Sequence, residues 1–451
     1  MDHGLLAPAW AATGVAELVD DRALLTAMLD TEVALAGAQA ALGMIGPGDL
    51  ASIREAAVVN RIDLAVLAAG VRATGNPVVA LVDQLTAAVD PDAAGSVHLG
   101  CTSQDVLDTA LMLLCAKVFD RIAADLAECA RLLAEHVARH QDTPMAARTL
   151  TLHAVPTTFG LKAAGWLHLV LDAAVRVRAA RAALPVSIGG AAGTLSAYRE
   201  YAPATGPADR VLRLPALVAR ELGLPEPAVP WHAIRTPIAD VASALLVTTG
   251  ALGKIAADAL VLGRTEIGEV AEAPRPGRGV SSAMPQKRNP VFSTLVATAA
   301  RQLPPTAAVL FASMAVEDER SAGGWHAEWQ PLRECLRVAG GAAANAVELV
   351  RSLRVSPERL AANLALTGGA LVCERVNAVP APLLGKAAAK RVLAEAERDG
   401  RPLPEVPARR VPGAGLGAAD YAKLLDPADY TGVAATPARR VLDRHDAEGA
   451  R

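Results

Sequence analysis

Aromatic side chains are scarce, making up 3% of the 451 residues against 52% for the hydrophobic types together. Ala, Leu and Val carry that apolar content. This argues against a sheet core rich in aromatic and β-branched residues, and for helices packed through small side chains. Dense Lys/Arg tracts are missing and the formal net charge is −3, so the chain lacks the footprint of a nucleic-acid or anionic-membrane binder and a small-molecule role is left. Cys101, Cys115, Cys129, Cys335 and Cys373 are odd in number and contain no C-x-x-C pair. That excludes a disulfide framework and a zinc knuckle, and it suits a reducing cytoplasm. No positively charged segment precedes an apolar stretch at the N-terminus, and no window of about 18 apolar residues runs uninterrupted by charge. A soluble, unprocessed, cytoplasmic protein is expected. Neither a repeat of fixed period nor a G-x-x-x-x-G-K-[ST] loop occurs.

What the sequence does have is helical periodicity on a large scale. Its length exceeds the roughly 250–300 residues of one core, which predicts two or three domains. Residues 1–103 read as medium helices, such as Asp21 to Leu42, punctuated by Gly46-Pro47-Gly48 and Gly75-Asn76-Pro77. From Gln104 a long helix is predicted, because Val106, Leu113, Val118, Ile122, Leu126, Cys129, Leu133 and Val137 recur at the spacing of one buried face. Further long helices are predicted from Pro156, which suits a first turn, to about Leu184, then Thr236 to Val270, Pro290 to Met314, and Trp325 to Leu353. The fold class is all-α: an N-terminal helical domain over 1–103, a central long-helix bundle over 104–354, and a small C-terminal helical domain over 355–451 interrupted by the Pro/Arg-rich stretch 400–417. Rods of this length expose apolar faces that one copy hardly covers, so a closed oligomer is expected.

Residues 273–290, A-P-R-P-G-R-G-V-S-S-A-M-P-Q-K-R-N-P, connect two of these helices. Taken bare, the segment is a surface linker. Its end, Ser281-Ser282-Ala283-Met284-Pro285-Gln286-Lys287-Arg288-Asn289-Pro290, resembles the fumarase/aspartase signature G-S-S-x-M-P-x-K-x-N, with Val280 in place of the first glycine. The resemblance implies that Ser281 is the base removing a proton α to a carboxylate. A serine hydroxyl is a poor base unless its anion is stabilised, and Lys287, loop amides and the helix start at Pro290 supply the means. Removing such a proton creates a dianionic aci-carboxylate that needs donors aimed in advance, for which Lys287 and Asn289 are suitable types; the resemblance also implies that Ser282, the second serine of the pair, and Asn289 bind substrate.

His98-Leu99-Gly100-Cys101-Thr102-Ser103-Gln104-Asp105 opens the first long helix. Read alone, Thr102 or Ser103 is an N-cap with Asp105 in the first turn. The stretch also resembles the superfamily's T-S-x-D element, which implies that Thr102 and Ser103 bind a substrate carboxylate at a helix N-terminus. A third segment runs from Arg148-Thr149-Leu150-Thr151-Leu152-His153 to Trp166. Several superfamily lyases carry T-H at the positions of Thr149 and Leu150, the histidine serving as acid for the leaving group. Leucine here points to a leaving group of low pKa, such as a carboxylate, that departs without a proton. Muconate-type cycloisomerases also lack that histidine, and His153 to Trp166 resembles their H-A-x-P-x-T-x-G-x-K-x-A-G-W. His153 itself is open to two readings, a hydrogen-bonded core histidine or a substrate contact.

Pro230-Trp231-His232, Arg264 to Ala271, Glu319-Arg320-Ser321, Trp325 to Trp329, Asn363 with Thr367-Gly368-Gly369, and Leu424 to Tyr430 extend the resemblance over nearly the whole chain, most weakly at 400–417. Arg320 resembles a substrate-binding arginine; alone it would read as a surface ion pair. Metal ligation finds little support. His136 and His140 stand at i and i+4 without a third ligand, and are read as exposed surface residues. Gly189-Gly190-Ala191-Ala192-Gly193 has no preceding strand and is read as a turn between helices rather than a dinucleotide site.

The resemblance implies a cofactor-free, metal-free enzyme acting on a small polycarboxylate, with each site built by three subunits of a homotetramer. Its expected reaction is the interconversion of 3-carboxy-cis,cis-muconate and 4-carboxymuconolactone in aromatic-acid breakdown. Two alternatives stay open. One is another lyase of the scaffold acting on a succinyl-type substrate, adenylosuccinate or a natural product. The other is a non-catalytic structural protein, against which Ser281, Lys287 and Asn289 together speak.

Overall fold

The computed structural model describes residues 4–204, 209–275, 277–281, 283–284, 286–378, 387, 394, 398, 423 and 425–449. Its helices are α1 (Asp21–Ala41), α2 (Pro47–Ala56), α3 (Leu64–Thr74), α4 (Val78–Ala88), α5 (Ser103–Arg139), α6 (Phe159–Ala182), α7 (Ser196–Tyr201), α8 (Leu214–Leu222), α9 (Thr236–Leu262), α10 (Val291–Ala312), α11 (Gly324–Ser352), α12 (Pro357–Ala365), α13 (Cys373–Ala378) and α14 (Ala435–Gly449). Among the described residues the fold is all-helical apart from two antiparallel strand pairs: β1 (Pro144–Thr149) with β2 (Leu152–Thr158), and β3 (Val270–Glu272) with β4 (Leu353–Val355).

Local chemistry sets the shorter helices. Asp20 caps α1 by accepting from the Ala23 amide, Asp63 caps α3, and Gly75, at φ +80°, ends it in the left-handed conformation that glycine adopts without strain. The stripe that predicts α5 is fully buried except at Leu113, which is part-exposed. Small side chains let helices meet: a Cβ added at Gly253 of α9 would lie 2.5 Å from the Ala300 Cβ of α10, and one at Gly341 of α11 would lie 2.4 Å from the Ala9 carbonyl oxygen. The scarcity of aromatic residues is thus matched by close backbone packing.

The chain forms two compact units. One comprises residues 1–125, 173–253 and 295–345, the other 126–172, 254–294 and 346–451. The first contains α1 to α4 and the start of α5; the second contains both strand pairs, the end of α5 and α12 to α14.

Three sequence expectations are corrected. Pro156 does not open a helix: 152–158 is strand β2, paired in register from Thr149↔Leu152 to Pro144↔Thr158 with one irregularity, and α6 begins at Phe159 with Leu161 N–H donating to Thr158 Oγ1. The β-branched run Val155, Thr157 and Thr158 pairs across the hairpin instead of coiling. The helix expected to reach Val270 stops at Leu262, because 270–272 joins β4. Finally, His136 and His140 are buried, at 9% and 8% exposure, and stack ring on ring 6.3 Å apart; they belong to the core of the second unit. The expected turn at Gly189-Gly190 is present, with Gly190 at φ +72°.

Candidate active site

The residues singled out by sequence fall into three local groups. In the first unit, Thr102 ends the loop into α5 and Ser103 is the first residue of that helix. Asp105 anchors it: its carboxylate accepts from the Gly189 and Gly190 amides at 2.9 and 2.8 Å and meets His232 Nε2 at 2.7 Å. One turn further, buried Arg235 lies between Asp108 at 2.8 Å and Glu328 at 2.6 Å, and Trp325 Nε1 donates to Asp108. Paired charges thus hold the helix start rigidly and satisfy groups that could not be buried alone. Neither hydroxyl caps the helix. Thr102 Oγ1 accepts from Arg320 Nη2 at 2.9 Å, and Arg320 also donates to Gln104 Oε1 at 3.0 Å and the Ala191 carbonyl at 3.2 Å. Arg320 is therefore no surface ion pair. Its partners among the described residues are neutral oxygens, which leaves its charge uncompensated beside Thr102 and Ser103.

Sequence reasoning missed the dyad behind this loop. Glu32 of α1, almost fully buried, meets His98 Nδ1 at 2.6 Å. Burial alone would depress the His98 pKa, but the Glu32 carboxylate outweighs it and holds the imidazole above its ordinary value, with a smaller contribution from Asp105. The readable signal was Glu32 itself, a charged residue in the buried stripe of Leu25, Met28, Leu29 and Leu35.

The second group lies on the β1–β2 hairpin. Its two-residue turn, Leu150-Thr151, has φ +47° and +75°, left-handed values that neither side chain favours. Leu150 is 96% exposed at the tip, beside exposed Thr149. Behind the tip, Arg148 makes a bidentate pair with buried Glu269 at 2.9 and 2.6 Å, and Asn363 Nδ2 donates to the same carboxylate at 2.8 Å. His153, cross-strand from Arg148, has its pKa lowered by burial and then by the Arg148 charge, and its buried Nδ1 has no hydrogen-bond partner among the described residues. It is not a core histidine hydrogen-bonded through that nitrogen.

The third group is the 273–290 loop. The Gly279 carbonyl accepts from the Asn289 amide at 2.9 Å and Val280 bridges Arg288, so Ser281 and Lys287 sit on a closed tip. Ser281 Oγ accepts from the Met284 amide at 3.1 Å, a contact that favours negative charge on that oxygen. Lys287 and Asn289 are exposed. Ser282 lies outside the described residues. No cluster of His, Cys, Asp and Glu among the described residues could hold a metal ion.

The family described as Lyase matches residues 13–304. The chain belongs to this lyase family, the fumarase/aspartase superfamily. It is 54% identical to a nitrosuccinate lyase of Streptomyces davaonensis over 442 residues, 96% of this chain and 93% of that protein. It is 39% identical to a 3-carboxy-cis,cis-muconate cycloisomerase of Bradyrhizobium diazoefficiens, covering 97% of both. Among solved structures, the 3-carboxy-cis,cis-muconate lactonizing enzyme from Pseudomonas putida superposes with a TM-score of 0.90 at 34% identity, covering 98% of this chain and 99% of the other. This lyase therefore resembles two kinds of enzyme along its full length, and the more similar of these relatives is not a cycloisomerase.

Proposed function

We propose that this lyase eliminates nitrite from nitrosuccinate to give fumarate. Ser281 removes a proton from the methylene carbon α to one carboxylate. The electron pair passes into that carboxylate as an aci-carboxylate held by Lys287, Asn289 and Ser282, then returns to form the carbon–carbon double bond as the C–N bond breaks and nitrite leaves with its electrons. Thr102, Ser103 and Arg320 bind a carboxylate at the start of α5, and Thr149 with His153 contacts the remainder of the substrate. In the homotetramer that the resemblance implies, each site draws these groups from three subunits.

The observation that carries this reading is Leu150 at the tip of the hairpin, where relatives that expel an amine or hydroxide place an acid. An alkyl side chain donates no proton. Nitrous acid is about as acidic as a carboxylic acid, so nitrite departs as the anion at neutral pH and needs none. The 54% identity to a nitrosuccinate lyase supports nitrite among low-pKa leaving groups. The second reading, lactonisation of 3-carboxy-cis,cis-muconate, has the same leaving-group logic and the support of the 39% identical relative.

Parallel assays separate the two. Nitrosuccinate should yield nitrite and fumarate in equal amounts, while the diene absorbance of carboxymuconate stays constant. Loss of the diene with no nitrite released would replace the proposal by the cycloisomerase reading, and inertness towards both substrates would refute both.

A further inference from the structure

The neck of the loop that carries Ser281 is clamped at its base and only loosely held above it. At the base, Glu272 closes β3 and its carboxylate accepts from the Phe292 amide at 3.1 Å, the Ser293 amide at 2.8 Å and Ser293 Oγ at 2.8 Å. One acidic side chain before the loop thus caps the helix after it. Ala273 N–H donates to the Ser352 carbonyl at 2.8 Å, which ties the same point to the end of α11. Above this base stands Glu348 of α11. One of its oxygens is held by Arg351, while the other faces Arg275 Nη1 at 3.5 Å and Arg278 Nη1 at 3.7 Å. Both separations are ion-pair contacts too long for good hydrogen bonds. Arg278 Nη1 is buried without a hydrogen-bond partner among the described residues, although its guanidinium sits 4.2 Å above the Phe292 ring. A buried donor left unmade costs free energy, and a shift of the neck by less than about 1 Å towards Glu348 would satisfy it.

We propose that Glu348 is a positioning residue for Ser281, a latch on α11 that draws Arg278 and Arg275 in when the loop takes its working position. The direction of travel is set by the geometry. Gly279, at φ +64°, follows Arg278, and a Cβ there would lie 2.6 Å from the Asn289 carbonyl oxygen, so the two strands of the neck move as one. Drawing in Arg278 therefore moves Val280 and Ser281 with it, while Glu272 keeps the base fixed. The latch rests on the proposed role of Ser281 as base, but its own signature is loop mobility.

The test is Glu348→Gln, which keeps the shape and removes the charge, alongside the reciprocal swap Arg278→Glu with Glu348→Arg. Amide hydrogen exchange over 277–289 should quicken in Glu348→Gln with melting temperature unchanged. The kcat should fall about tenfold with KM held within about twofold, since a misplaced base slows chemistry more than binding. The swap should restore most of the exchange protection and of kcat. Wild-type exchange in the loop of Glu348→Gln overturns the latch, as does a loss of protection spread over the whole chain with a lowered melting temperature. Should Ser281→Ala retain full activity, the base assignment fails, while the exchange arm still reports on the latch.

Discussion

Arg320 meets three neutral oxygens and no carboxylate among its described contacts, an arrangement suited to a guanidinium awaiting an anion. Gln104, whose amide also donates to Asp108, and the Ala191 carbonyl fix its fork beside Thr102 before any ligand arrives. Replacing Arg320 by Met should therefore raise KM for the dicarboxylate by about tenfold or more, the worth of a charge-assisted hydrogen bond, with a smaller effect on kcat. Steady-state kinetics against nitrosuccinate reads this directly, and an unchanged KM would remove Arg320 from the binding site. At this scale the sequence was legible as motif, where the residues that make up a pattern are neighbours in the chain. The spacing of Ser281, Lys287 and Asn289, and Leu150 in place of a histidine, could both be read. Contacts between distant residues could not: Glu32 lies far from His98 in sequence and Arg148 far from Glu269, and only folding pairs them.

At the scale of elements, the C-terminal end of α5 holds the most consequential departure from sequence expectation. A helix C-terminus favours histidine cations, and i, i+4 histidines there read as solvated. Instead His136 Nε2 reaches the Val350 carbonyl at 3.3 Å, and the His140 ring stands edge-on to Phe159 at 5.4 Å. Burial lowers both pKa values. At His136 the Val350 carbonyl and then Glu135 oppose the burial while Arg139 and Arg354 add to it, and at His140 the His136 ring and then Arg139 add. The sign follows from linkage. With folded pKa values below the unfolded ones, the unfolded chain binds protons first, so stability is lost as pH falls through about 6.5 towards the folded values and levels off below them. Thermal melts from pH 7 down to 5 should show this decline, and His140→Phe should flatten it; a slope identical to wild type would mean the pair stays neutral for another reason. The same limit of sequence reading applies to β2. Proline at a plausible first turn outweighed the β-branched run around it, and the cross-strand partner at 144–149 was invisible to local pattern.

On the scale of the whole molecule, the helical class was legible because alanine-rich amphipathic pattern persists over hundreds of residues, and the comparisons with solved lyases agree. Among the described residues one helix, α9, is long and apolar enough by length and composition to cross a bilayer, with mean hydropathy 1.6 and half of its most apolar window buried. It also carries Asp240, Lys254 and Asp258, and Asp258 accepts from Trp166 Nε1 at 2.8 Å and pairs with Lys254, charged and polar contacts of the kind found on a helix packed within a protein. The substrate was the least legible property. On the proposed reading Leu150 favours leaving groups that depart as anions of low pKa, but carboxylate and nitrite meet that condition equally, and the sequence alone does not choose between them. Identity to a nitrosuccinate lyase now favours nitrite. Everything in the proposal nevertheless depends on one event, proton removal by the loop hydroxyl at position 281. The most direct test is nitrite release from nitrosuccinate by wild type and Ser281→Ala, each shown to be folded by circular dichroism and to bind fumarate. Release should fall by about a thousandfold or more in the variant with fumarate binding retained. Nitrite release at the wild-type rate from a folded Ser281→Ala protein would contradict the account.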